Sequence, residues 1–296
     1  MTTDRFRMLD ELLQTQSFAP VPFPVSRQAI TDMVEGPFYD FLQLPEEVKE
    51  RLYFKLRPDF RGSDVGYKRR RKEYGDDEKV FFHYHTEAEV RFREEIAMYP
   101  ALRNLLEAVR PIHRAVNETF HDTLALFAED FPGILDSFFP TGRQQHLYLR
   151  ILGYMGSDTL AKNHIDMSGC TLALAESIPG LRIGWDAEHM HHIAHIDGSA
   201  IFFPGLTFRE ETSDAYPPIW HGVEQPARAK YLSTGGPVEV SDYGITRWAV
   251  VAFFSGLKLR NPPKEETNTP HPLSAARAAL LDGGWHPHRS SIAAVV

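Results

Sequence analysis

The sequence has a single cysteine, Cys170. No internal disulfide can close, which fits a reducing compartment. It has no excess of basic charge: 32 Lys and Arg stand against 40 Asp and Glu, a net charge of −8. That balance favours solubility and argues against bulk nucleic-acid binding. No run approaches the roughly 18 to 20 consecutive apolar residues that a membrane span needs. Residues 1–20 mix acidic, basic and amide side chains with apolar ones and lack the continuous apolar stretch of a signal peptide. No internal repeat is visible. These absences predict a cytoplasmic chain without a membrane or nucleic-acid partner. What the sequence does have is apolar bulk: 43% of its 296 residues are hydrophobic, with 20 Phe, 11 Tyr and 4 Trp. That suffices for a substantial core and excludes disorder throughout. Fourteen histidines invite a search for a metal site.

Residues 1–60 read as mostly helical. Phe38, Phe41, Leu42 and Leu44 form an apolar cluster closed by Pro45. Glu46–Leu52 then reads as a new helix, with proline at its start and acids in its first turn. Residues 57–85 read as irregular and carry the basic run Lys68–Lys72. From Glu87 to Phe131 the pattern is helical: Leu102, Leu105, Leu106, Val109 and Ile112 recur at three- and four-residue steps, continued by Val116, Phe120 and Leu124. Pro100 marks a helix start and Pro111 a kink or break. After Pro140 the texture changes to short strands parted by Gly, Pro, Asp and Ser, among them His146–Leu152, Thr171–Ala175, Leu181–Trp185, Ala200–Phe203 and Trp248–Phe254. The continuous runs Ile201–Phe203 and Val250–Phe254 suit strands buried on both faces. The tail from Asn261 is proline-rich, with one short helix near Ser274–Leu281. The expectation is an α+β chain with a mainly β core, in one structural unit. A helical region over 1–140 packs on a sandwich or barrel over 141–260, and a tail follows over 261–296.

Two His-x-Asp steps occur, His164-Ile165-Asp166 and His195-Ile196-Asp197. On a strand end, residues i and i+2 point the same way, so such a step offers two metal ligands together. An oxygen-activating iron(II) takes two histidines and one carboxylate on one face and keeps its other positions free. The third ligand must come from a distant strand. His189, His191, His192, His195 and His221 are candidates after the first step. His221 lies 55 residues beyond Asp166, room for strands to leave and return, but only 24 beyond Asp197. His164, Asp166 and His221 are therefore preferred. The run His189–His195 is a rival cluster, and a solvated loop is its bland reading.

Several short motifs fall in a telling order. Phe41-Leu42-Gln43-Leu44-Pro45-Glu46-Glu47-Val48-Lys49 comes first. Gly66-Tyr67 and Asp76-Asp77-Glu78-Lys79 follow, then His164-x-Asp166 with Thr171-Leu172, Pro179-Gly180-Leu181, Trp220-His221-Gly222-Val223, and Arg247 before Val250–Phe254. In order and spacing these resemble the isopenicillin N synthase-like branch of the iron(II)/2-oxoglutarate oxygenases, over most of residues 38–257. The resemblance implies a double-stranded β-helix, a jelly-roll or cupin-like barrel, with iron(II) held by His164, Asp166 and His221 in its mouth. It implies Arg247 as the grip on the distal carboxylate of 2-oxoglutarate, since a planar guanidinium pairs a carboxylate bidentately. Tyr154 is implied as a donor to the same carboxylate.

The resemblance further implies that the chain oxidises an unactivated C–H bond of a small-molecule metabolite with dioxygen, releasing succinate and carbon dioxide. The sequence departs from the pattern in three places. Ala249 stands where the family has serine two residues after the arginine. His221 and Arg247 are 26 residues apart rather than roughly ten, the extra segment lying about Ala229–Gly244 and leaving Arg228 as a rival anchor. No opening strand is visible before Phe38. Two other readings stay open: an iron oxidase of the same fold that does not use 2-oxoglutarate, and a barrel that binds without turnover. Phe81, Phe82, His83 and Tyr84 read equally as pocket or core.

Overall fold

A computed structural model describes residues 2–53, 65–70, 78–139, 147–155, 159–224 and 244–254. Among them the strands are β1 (Ala19–Pro22), β2 (Gly66–Arg70), β3 (Lys79–Tyr84), β4 (Leu147–Tyr154), β5 (Thr159–Ile165), β6 (Cys170–Glu176), β7 (Leu181–Gly184), β8 (Met190–His192), β9 (Ser199–Pro204), β10 (Trp220–Glu224) and β11 (Arg247–Phe254). They build two antiparallel sheets. The larger has the order β1-β9-β6-β11-β4-β3-β2 and the smaller β5-β10-β7-β8. The predicted strands after Pro140 fall on β4, β6, β7, β9 and β11. The predicted tail helix near Ser274–Leu281 and the segment Ala229–Tyr243 lie outside the described residues.

Alternation along the strands decides what each face meets. On β11, Trp248, Val250, Ala252 and Phe254 face the helical layer. There they join Leu147, Leu149 and Ile151 of β4 and Leu172 and Leu174 of β6 in the main core. The long helix Pro100–Ala125 supplies the opposing stripe: Leu102, Leu105, Leu106, Val109, Ile112, Val116, Phe120 and Leu124 are all buried. Each such side chain contributes roughly 1.5–3 kcal/mol on burial. Phe254 shows the fit, with ring centroids of Phe139, Phe120 and Phe138 at 4.7, 5.1 and 5.5 Å. The opposite faces of the two sheets meet each other. Ala173, Ile201 and Phe203 of the larger sheet pack on Leu181 and Ile183 of the smaller.

Three sequence expectations need correction. The helix Pro100–Ala125 runs unbroken through Pro111. Proline there removes one hydrogen bond and disfavours the helix by about 3 kcal/mol, but the ring faces outward and the apolar stripe on both sides holds the turn in place. Residues 57–85 are not irregular throughout, for β2 and β3 pair antiparallel and extend the larger sheet past β4. An opening strand does exist before Phe38: β1 pairs with β9 at the sheet edge. Its sequence, Ala-Pro-Val-Pro, conceals it, because two prolines in four residues argue against a central strand. An edge strand tolerates them; Ala19 and Val21 point inward, while Pro20 and Pro22 stay on the outer side.

Among the described residues no helix is long and apolar enough to cross a membrane.

Candidate metal centre

β10 lies antiparallel to β5 with His221 directly opposite His164. Opposed residues in such a pair share a face, so residues 57 apart in the chain meet with ring centroids 4.2 Å apart. Asp166, one residue past the end of β5, points the same way as His164. Its Oδ1 is 3.8 Å from His164 Nε2 and 3.6 Å from His221 Nε2. The three ligand atoms lie within 4.8 Å of one another, and they form the one such group of three or more among the described residues.

The surroundings orient each donor. His164 Nδ1 is 2.8 Å from the Lys162 carbonyl and His221 Nδ1 is 3.4 Å from that of Ile219. A ring proton on Nδ1 serves those carbonyls and leaves both Nε2 lone pairs facing Asp166. Thr171 Oγ1 donates to Asp166 Oδ2 at 2.6 Å, which leaves Oδ1 for the centre. His221 is buried beneath Phe203, whose ring centroid is 5.0 Å away. Burial lowers the His221 pKa, and the neighbouring His164 adds to this against the opposing charge of Asp166, so the ring is kept neutral, as a ligand must be.

This donor set fits a divalent transition metal. Ligands at adjacent corners of an octahedron stand on the order of 3 Å apart, so Asp166 Oδ1, at 3.8 and 3.6 Å, needs to close on each imidazole by less than an ångström. Two imidazoles and one carboxylate, with no further His, Cys, Asp or Glu in the group among the described residues, match the donor set of non-haem iron(II) oxygenases.

The rival histidines lie elsewhere. Asp197 of the second His-x-Asp step accepts from the backbone N–H of Arg27 at 2.8 Å and of Gly198 at 3.0 Å. It thereby serves the start of the helix Arg27–Met33. His195 is pushed down to about 4 by burial. His189 is exposed and bonded to Asp186 at 3.0 Å, and His191 and His192 are exposed on β8.

Arg247 opens β11 on the inner face, 2% exposed. Its Nε donates to the Ile178 carbonyl at 2.9 Å, and its Nη2 pairs with the Glu176 carboxylate. Among the described residues, Nη1 and Glu176 Oε1 are both buried without a hydrogen-bond partner. Burial raises the Glu176 pKa, opposed by Arg247. The guanidinium carbon sits 5.1 Å from the ring centroid of Tyr154, its cross-strand partner, so Tyr154 meets Arg247 through its ring. Gly180 makes room, since a Cβ there would stand 2.5 Å from the Glu224 carbonyl oxygen and 3.0 Å from Arg247 Nε. Phe81, Leu152, Tyr154 and Ala249 of the larger sheet close on Ala161 and Val223 of the smaller in an apolar cluster. Thr171 and Glu176 are the site neighbours whose roles sequence reasoning missed. Thr171 follows Asp166 at the start of a strand, a usable signal; Glu176 becomes visible only through strand register. Arg228, Arg71, Lys72, Asp76 and Asp77 lie outside the described residues.

No protein-family model matches this sequence, and no curated protein matches it either. Solved structures do. A full-length Neurospora crassa protein in complex with alpha-KG and thymine superposes with a TM-score of 0.63 at 15% identity, over 86% of this chain and 81% of that one. A putative 2OG-Fe(II) oxygenase family protein from Caulobacter crescentus gives 0.60 at 18% identity, over 86% and 82%. AtDAO1, a dioxygenase for auxin oxidation from Arabidopsis thaliana, in complex with 2-oxoglutarate, gives 0.63 at 14%, over 87% and 90%. The fold is that of the 2-oxoglutarate/iron(II) oxygenases. Within this oxygenase fold, His164, Asp166 and His221 converge on one side of the inter-sheet space, and the buried Arg247 occupies its β11 strand.

Proposed function

We propose that the protein is an iron(II)- and 2-oxoglutarate-dependent oxygenase built on a double-stranded β-helix. It acts on a C–H bond of a small molecule. The observation that carries this reading is the convergence of the His164, Asp166 and His221 donor atoms within 4.8 Å, in a fold that similar structures use with 2-oxoglutarate bound. When bound, iron(II) with 2-oxoglutarate and dioxygen supplies the oxidising chemistry, with succinate and carbon dioxide as co-products. The chain's own residues hold and orient. His164 and His221 present Nε2 lone pairs, and Thr171 fixes the Asp166 carboxylate so that Oδ1 faces the centre. Arg247 offers the buried, unpaired Nη1 to the distal carboxylate of the co-substrate, and Tyr154 backs its guanidinium. Ala249, Leu152 and Val223 pack with Tyr154 in one apolar cluster, and such low-dielectric surroundings strengthen the charge contacts of Arg247 beside it. Anaerobic titration with iron(II) and 2-oxoglutarate tests this. A visible charge-transfer band that saturates at one equivalent is expected, and its absence overturns the reading.

One observation favours a second reading. Glu176 already engages Arg247, and Ala249 supplies no hydroxyl beside it. An oxidase of the same fold that uses no 2-oxoglutarate would need no free arginine. Succinate formed in proportion to product supports the first reading; product without succinate supports the second.

A further inference from the structure

The inner face of the larger sheet carries a second arginine. Strand register sets its neighbours. Thr171, Phe253 and Tyr148 stand side by side across β6, β11 and β4, and the next row holds Ala173, Val251, Arg150 and His83. Thr171 is the residue bonded to Asp166, so Arg150 lies one row inward and two strands across from the triad's support. With strands about 4.8 Å apart and about 6.7 Å between same-face residues, the two Cα atoms are roughly 12 Å apart. An arginine side chain covers about half of that.

Arg150 is held but not neutralised. Its guanidinium carbon lies 4.5 Å from the Phe253 ring centroid and 5.2 Å from that of Phe81. Its Nε donates to His83 Nε2 at 2.5 Å. His83 is 1% exposed and is gripped between Phe81 at 4.9 Å and Tyr148 at 5.0 Å. Accepting through Nε2 makes this imidazole neutral, with its proton on Nδ1. The ring is thus a fixed acceptor that sets the guanidinium's rotation. Among the described residues, the terminal nitrogens of Arg150 make no ion pair or hydrogen bond. A part-buried cation usually has a carboxylate partner, and this one has aromatic walls and an open fork instead.

We infer that Arg150, oriented by His83 and walled by Phe81 and Phe253, is the anchor for the carboxylate of the substrate, a small molecule with an apolar body and one acidic end. The free Nη1–Nη2 edge matches a carboxylate in two parallel hydrogen bonds. The apolar body has the stacked rings of Phe253 and half-buried Tyr148, 5.3 Å apart beside Arg150, to lie against. The inference rests on the oxygenase reading for its placement of the reacting carbon, not for the binding itself.

The test uses full-length protein loaded with iron(II) and 2-oxoglutarate without oxygen. The probes are phenylacetate, 3-phenylpropanoate, 4-phenylbutanoate, hexanoate and octanoate, each set against its own primary amide. Binding is read as a change in the charge-transfer absorption and, independently, by calorimetry. At least one acid is expected to bind about tenfold or more tightly than its amide. In Arg150→Gln that acid weakens to the level of the amide, while 2-oxoglutarate affinity holds. Equal binding of acids and amides, or no response to any acid, overturns the inference without the need for a variant. Loss of 2-oxoglutarate binding in Arg150→Gln also overturns it, because Arg150 would then anchor the co-substrate. If the wild type binds no 2-oxoglutarate but calorimetry on the iron(II) protein still shows the Arg150-dependent preference, the oxygenase reading fails and the anchor stands.

Discussion

Replacing Glu176 by glutamine should tighten 2-oxoglutarate binding, although the change removes half of a buried ion pair. Arg247 has its Nη2 on Glu176 and its Nε on the Ile178 carbonyl, which leaves Nη1 for an incoming carboxylate. Two carboxylates sharing one guanidinium stand about 5 Å apart. At an effective dielectric of about 20 their repulsion is roughly 3 kcal/mol, about a hundredfold in affinity. Protonation of Glu176 is the wild-type escape. Burial already raises its pKa against the pull of Arg247, and a second anion raises it further. Binding that raises a pKa takes up a proton, so wild-type affinity should increase as pH falls toward the Glu176 value and weaken above it. In Glu176→Gln the dependence should vanish and the affinity should rise by about ten- to a hundredfold. Without ligand the variant should be less stable, since one buried charge loses its partner, about 3 kcal/mol or more. Added 2-oxoglutarate should restore the melting temperature. Anaerobic titrations of the charge-transfer band at several pH values, with calorimetry in buffers of different ionisation enthalpy to count protons, supply the measurement. A variant that binds 2-oxoglutarate no better than wild type, in a wild type whose affinity ignores pH, refutes the reasoning.

Three further outcomes follow from single contacts. His221→Ala should lower iron(II) affinity by more than the roughly 10- to 100-fold that an outer-shell change costs, read by metal titration, with the fold intact by circular dichroism. Thr171→Val keeps the shape but removes the 2.6 Å bond to Asp166; iron affinity should fall by roughly 10- to 100-fold in the same titration. Gly180→Ala sets a Cβ 2.5 Å from the Glu224 carbonyl oxygen, and should destabilise by about 1–3 kcal/mol in thermal unfolding while also weakening 2-oxoglutarate, because the second contact is Arg247.

The parts of the site that were legible in the sequence are those set by short-range geometry or a single long return. His164 and Asp166 share a direction because they are two residues apart at a strand end, and His221 is the return, opposite His164 in register. Strands β4, β6, β7, β9 and β11 were legible as apolar runs bounded by turn residues, whereas β5, β8 and β10 carry too much polar sequence to stand out. What stayed hidden depends on which residue faces which across a sheet. Glu176 ends a run, Cys170–Glu176, that is buried along its whole length, and nothing local distinguishes its inward carboxylate from a surface one. A bulge between Val250 and Val251 against β6 settles that Glu176, and not Ala175, shares the face of Ala249. Arg150 in Leu149-Arg150-Ile151 likewise has the look of an outward residue on a half-buried strand, but its alternation sets the guanidinium between Phe81 and Phe253 on the inner face, where it is partly buried.

Arg247, Arg150 and Glu176 share one face of the larger sheet and are coupled through charge. Among the described residues that face also carries Lys79, over the Tyr154 ring, and by register Lys68 and Arg70, while Asp166 and Glu176 are the buried anions. Iron(II) with dianionic 2-oxoglutarate adds no net charge. A monoanionic substrate on Arg150 would then bring a further negative charge toward an ionised Glu176, beside the apolar cluster of Phe81, Leu152, Val223 and Ala249, and low-dielectric surroundings strengthen that repulsion. A proton on Glu176 removes it. The acid probes should therefore bind the 2-oxoglutarate-loaded protein more tightly as pH falls toward the Glu176 value, while their amides show no such trend. In Glu176→Gln the acids should bind at the low-pH affinity throughout. Calorimetry of one acid–amide pair across pH, in both proteins, decides it: an acid whose affinity is flat with pH in the wild type and unchanged by the substitution would mean that the two arginines do not share one electrostatic site.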